Sequence, residues 1–108
     1  MEEQIYSTTQ LYFDLWENKD LDNLEKLFSP NIILRDWTNR WEGKSNVIDA
    51  NKKIFENEIK LFVIRIDICF DTAYCQIEII VNGETLHVMD VIEFDEDNYI
   101  KSITAYKG

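Results

Sequence analysis

Asp90 is the residue of this 108-residue chain that most invites a chemical explanation. It stands in the alternating stretch Glu84 to Phe94, where Leu86, Val88, Ile92 and Phe94 occupy the same parity. A strand with that alternation buries one face. A carboxyl on the buried face must be paired, hydrogen-bonded, or kept neutral by a raised pKa, because burying it charged and alone is costly. Arg35 or Arg40 can supply the pairing, and a pocket acid is the other reading. Asp36, at the end of a short apolar run from Ile32, is placed either to close a turn or to face a cleft. Tyr12 falls on an apolar helical stripe, where its hydroxyl needs a partner if buried; core packing and pocket lining are both open to it. Trp37 and Trp41, just after Asp36, suit either packing or the wall of an apolar ligand site.

Other chemistries lack their residues. His87 is the single histidine and has the opposite parity to Asp90. The carboxylate runs Glu2-Glu3 and Asp95-Glu96-Asp97 lack calcium-loop spacing, so no metal is expected. There is no glycine-rich phosphate cradle and no nucleophile elbow, and no cofactor is expected. A net charge of −10 disfavours nucleic acid as a partner. Cys69 and Cys75 lie in strand-like sequence without CxxC spacing and are read as buried thiols. The acidic opening lacks the basic and apolar regions of a leader peptide, and no apolar run approaches the roughly 20 residues needed to cross a bilayer. No membrane association is expected, and the expected compartment is the cytoplasm.

The elements that must position these residues follow from periodicity. Ile5, Thr8, Thr9, Tyr12, Leu15 and Trp16 predict an amphipathic helix over Gln4 to Asn18. Asp20 caps a second, short helix carrying Leu21, Leu24, Leu27 and Phe28, which Pro30 ends. A strand from Ile32 to Asp36 precedes an irregular stretch, and Gly43 precedes a third helix over Ser45 to Glu56. From Leu61 the period becomes two, with Phe62, Ile64, Ile66, Ile68 and Phe70 read as the buried set. Strands Tyr74 to Val81, Glu84 to Phe94 and Tyr99 to Tyr106 follow, the first two joined by the hairpin signal Asn82-Gly83. Helices early and a meander late indicate one α+β domain, its helices on one face of a curved antiparallel sheet. The other face, including Val63, Ile80, Met89 and Val91, predicts a homodimer.

In this order of elements the chain resembles the nuclear transport factor 2-like superfamily, a cystatin-like cone, and within it the SnoaL-like and steroid Δ5-3-ketoisomerase branch. The similarity runs through Tyr12-Phe-Asp-Leu-Trp, Lys19-Asp20-Leu21-Asp22, Leu27-Phe28, Ile32 to Asp36 and Met89-Asp90-Val91-Ile92-Glu93-Phe94. It implies that Asp36 is a general base and that Tyr12 and a protonated Asp90 form an oxyanion hole. Trp37, Trp41, Leu86 and Val88 are then the expected ligand wall. Trp37 stands where the isomerases have a proline, and the segments around it and around Asn82-Gly83 are shorter, which implies a smaller pocket mouth. The expected substrate is a small apolar enolisable ketone. A non-catalytic small-ligand-binding or dimerisation module with the same cavity is the second reading, since one fold hosts both.

Overall fold

A computed structural model describes residues 2–108. Helix α1, Glu2–Glu17, buries Ile5, Thr9, Tyr12, Phe13 and Trp16, a three-to-four-residue spacing that keeps one stripe against the sheet. Thr9 can be fully buried there because its hydroxyl donates to the Ile5 carbonyl at 2.7 Å. The helix closes in a Schellman turn: Lys19 adopts φ 58°, its N–H reaches the Trp16 carbonyl, and the Asp20 N–H reaches Leu15. Asp20 then caps α2, Leu21–Leu27, by accepting from the Asn23 N–H. The third helix, α3, Lys44–Ile54, starts at Gly43, whose φ of 87° is open to glycine at little cost. It buries Val47, Ala50 and Asn51.

Six strands form one sheet: β1 Phe28–Arg35, β2 Arg40–Glu42, β3 Ile59–Cys69, β4 Thr72–Val81, β5 Glu84–Phe94 and β6 Ile100–Lys107. Their order is β2-β1-β6-β5-β4-β3, and all pairs are antiparallel except β1 with β6. The α+β layering expected from the sequence is therefore present, with α1 lying against β3 and β4 and α3 against β1. β2, three residues inside the stretch read as irregular, has no periodicity of its own and exists because it pairs with β1 through Leu34 and Trp41.

One periodicity reading is corrected. Phe62, Ile64 and Phe70 are 51%, 52% and 85% exposed, whereas Ile59 and Leu61 are buried. For Phe62 and Ile64 the cause is an irregularity in the β3–β4 ladder between Val63 and Arg65, which inserts a residue and flips the strand's phase, whereas Phe70 lies past the end of β3, at φ 56° in the turn to β4. Before it the odd residues face the helices; after it Ile66 and Ile68 do. Cys69, in the phase-shifted end of that strand, is exposed, while Cys75 is buried as expected. Val63 pairs directly with Ile77, so it belongs to the helix side of the sheet and not to the outer face. On that outer face Tyr74, Met89 and Tyr106 are exposed.

The hairpin between β4 and β5 turns on Asn82 and Gly83, both at positive φ, 50° and 86°. That is the backbone a tight hairpin of right-handed twist requires. Asn82 also ties the turn to the segment before β3: its side chain accepts from the Glu58 N–H at 3.0 Å and donates to Asn57 at 2.9 Å. Asn82→Ala removes both bonds and places a Cβ-bearing residue without local support in the left-handed region. It is expected to lower unfolding stability by about 2 kcal/mol, measured by urea titration with an unchanged m-value.

Candidate functional site

The concave side of the sheet and the helices enclose a cavity of about 100 Å³. Tyr12, Asp36 and Asp90 all line it, together with Trp37, Trp41 and Val88. Each reaches it from a different element. Tyr12 comes from the inner stripe of α1, Asp36 follows the last residue of β1, and Asp90 lies in mid-β5, directly between Cys75 of β4 and Ala105 of β6. Leu86 is the exception. It packs against the core two residues nearer the hairpin and is not part of the wall.

Asp90 is 7% exposed, and its carboxyl has no hydrogen bond or ion pair to any described residue. The arginine pairing is overturned, since Arg40 pairs with Glu42 at 3.1 Å and Arg35 is exposed on the sheet side away from the cavity. Strand alternation is the reason: Arg35 has the opposite parity to the buried Leu34. Without a cation or a donor, burial alone raises the Asp90 pKa from 3.8 to about 7. Near neutral pH a large fraction of Asp90 is thus a neutral acid, able to donate one O–H.

Tyr12 is 4% exposed, its ring set edge-on to Phe13 at 5.2 Å and tilted against Phe28 at 6.3 Å. Burial pushes its phenol pKa well above 10.0, and the nearby Asp90 charge pushes it further, followed by Cys75. It therefore stays protonated as a donor. The Cys75 thiol is pushed up to about 12 by burial and then by Asp90, which makes it inert as a nucleophile. Neither the Tyr12 hydroxyl nor the Asp90 carboxyl has a partner among the described residues, yet no described side-chain polar atom is both fully enclosed and unsatisfied. Both groups therefore open onto the cavity.

Asp36 is half-buried and performs the turn function as well as lining the cavity. Its Oδ1 accepts from the Thr38 N–H at 2.8 Å, the Thr38 hydroxyl at 3.0 Å and the Asn39 N–H at 2.7 Å. These three bonds fix the carboxylate plane and leave Oδ2 free to accept. Trp37 is 45% exposed and does not plug the cavity; it sits at the mouth beneath Lys107, whose Nζ lies 5.7 Å from the ring centroid. His87 lies outside the site, exposed and 3.5 Å from Glu78.

The sequence reading missed Trp16 and Asn51. The Trp16 indole donates to Asn51 Oδ1 at 3.1 Å, and Asn51 Nδ2 donates to the Val47 carbonyl at 3.1 Å. Asn51 is only 3% exposed. Its signal was available: it falls on the stripe Val47, Ala50, Ile54, so it is a polar residue on an apolar face, as Asp90 is. Among the described residues no three His, Cys, Asp or Glu side chains gather as a metal site, and no described helix is long and apolar enough to cross a membrane.

Residues 9–103 match the family model of the SnoaL-like domain. The chain belongs to the SnoaL-like family of the NTF2-like superfamily. This SnoaL-like domain is similar in structure to a candidate ketosteroid isomerase of Kribbella flavida, with a TM-score of 0.91 at 16% identity, covering 99% of this chain and 79% of that one. It is also similar to an NTF2-like protein of unknown function from Cytophaga hutchinsonii, with a TM-score of 0.87, 13% identity, and coverage of 96% and 89%. A de novo designed protein with a curved β-sheet reaches a TM-score of 0.87 at 16% identity, covering 100% of this chain and 88% of the design. No curated protein matches the chain. At these identities the likeness is one of fold.

The raised Asp90 pKa makes a stability prediction for this SnoaL-like domain. A folded pKa of about 7 against 3.8 means the native state holds this proton more tightly than the unfolded state does. That contribution is fully present below pH 4 and is lost as pH rises through 7. Replacing Asp90 by the neutral Asn is expected to stabilise the fold by about 4 kcal/mol at pH 8, and by less than half of that at pH 5. Urea unfolding of both proteins at the two pH values measures the difference.

Proposed function

We propose that the domain catalyses proton transfer on a compact, apolar, enolisable ketone. The observation that carries this reading is the pair of unpartnered groups, Tyr12 and Asp90, opening into an apolar cavity whose wall also holds the Asp36 carboxylate. In this scheme the ketone oxygen lies at Tyr12 and neutral Asp90. Asp36 Oδ2 removes a proton from the α-carbon. The C–H electron pair becomes the C=C bond of an enolate, and the carbonyl oxygen takes the negative charge. Two O–H donors already in place stabilise that charge where little water competes. Asp36 then returns the proton to a different carbon, or to the same one in simple exchange.

Size supports a compact substrate. A cavity of about 100 Å³ is smaller than the ~150 Å³ that accommodates benzene in a protein interior. A polycyclic steroid does not fit within it, although part of a ligand can extend through the mouth past Trp37. The fold likeness to a candidate ketosteroid isomerase supports the reaction class and not that substrate.

Two measurements test the reading. Asp36→Asn is expected to slow isomerisation or α-deuterium exchange of a compact ketone by about 10²- to 10⁴-fold, as loss of a general base does, while the circular dichroism spectrum is unchanged. An unchanged rate overturns the proposal, and ligand binding without any exchange favours the non-catalytic reading. The pH profile is the second measurement. Asp90 donates only when protonated, so kcat/KM is expected to fall as pH rises through about 7, and Asp90→Asn, which keeps a donor, is expected to remove that limb.

A further inference from the structure

Asn51 has a hydrogen-bonding capacity that the protein does not use. A Trp indole can only donate, so the Trp16 N–H bond identifies the accepting oxygen of the Asn51 amide and places the NH₂ on the other side. That NH₂ has two N–H bonds. One goes to the Val47 carbonyl, four residues back along α3, and no described residue accepts from the other. The two N–H directions diverge by about 120°, as in any planar amide, so the second turns away from the backbone of α3. The side chain is 97% buried, being 3% exposed, and it lines the cavity.

The donors around the cavity therefore outnumber what a single ketone can use well. In the proposed function Tyr12 and Asp90 both donate to one oxygen. The Asn51 amide is held instead by Trp16, one helical turn along α1 from Tyr12. A ligand with a single oxygen at Tyr12 and Asp90 covers the Asn51 N–H with hydrocarbon and leaves it unsatisfied, which is unfavourable. A ligand with a second oxygen on its far side satisfies all three donors.

We infer that Asn51 is a ligand-binding residue, and that the cavity takes a compact molecule with two oxygens on opposite sides, a dicarbonyl or a hydroxyketone. The inference rests on the proposed function for which oxygen meets Tyr12 and Asp90; the Asn51 contact itself is one of binding. It gives the site a means of discrimination by hydrogen bonding, which separates ligands of equal size better than apolar contact does.

The test compares butane-2,3-dione with butan-2-one, ligands with no more heavy atoms than benzene that differ by one acceptor. Binding is followed by tryptophan fluorescence, since Trp16, Trp37 and Trp41 all line the cavity. The dione is expected to bind about tenfold more tightly and to lose that preference in Asn51→Leu. In the unaltered protein the dione is expected to shift the Asn51 side-chain amide NMR signals more than butan-2-one does, a readout that needs no variant to fold. Equal binding of the two ligands, binding of neither, or a preference that survives Asn51→Leu overturns the inference. A dione preference without α-proton exchange leaves the Asn51 contact standing and removes the catalytic reading.

Discussion

The site depends on one unfavourable burial, that of the Asp90 carboxyl in mid-sheet, which among the described residues has no cation paired with it and no hydrogen bond. Everything around it makes the neutral acid the stable form. Its cross-strand neighbours are Cys75 and Ala105, neither of which can compensate a charge, and the nearest acidic hydroxyl, Tyr12, is itself held protonated. A fold optimised only for stability has an apolar residue here, because removing an unpaired buried polar group is generally favourable. The strain is affordable in a 108-residue domain because the rest of the concave face is well packed, with Ile77, Ile92 and Ile103 all 2% exposed or less.

The same architecture explains why the three chemical groups converge although they are far apart in sequence. β1 is parallel to β6, and β6 is antiparallel to β5, so the end of β1 that leads to Asp36 is brought across from mid-β5. α1 closes the third side. Polar groups then enter an apolar cavity from the helix layer, from the sheet and from the rim, and each is fixed by a different device. The Tyr12 ring is held by aromatic packing, Asp36 by three hydrogen bonds to one oxygen, and Asn51 by an indole on one side and a helix carbonyl on the other. Rigid support of this kind is what leaves a free donor or acceptor aimed at a ligand.

Several of these features are legible in the chain because they are anomalies of a local pattern. A carboxyl on an apolar strand face marks Asp90, and an amide on an apolar helix stripe marks Asn51 just as clearly, although composition and spacing give Asn51 no chemical role by themselves. Leu86 shows the limit of parity arguments: it has the parity of Val88 and Asp90, yet it packs outside the cavity because the wall is only as long as the space under α1 and α3. Phe62 and Ile64 show another limit. Alternation persists through a bulge in the letters but not in space, since one inserted residue exchanges the two faces.

The sequence alone determined the three helices, the Asn82-Gly83 turn, the meander and the buried parity of β5, because each rests on interactions between residues close in the chain or on a simple period. Tertiary structure decided whether Asp90 meets an arginine, whether Asp36 lines a cavity as well as closing a turn, and which donor the Asn51 oxygen accepts from. Those outcomes depend on contacts between residues 35 or more apart, and on the volume left when the layers pack. Neither quantity is written in any local stretch of the chain.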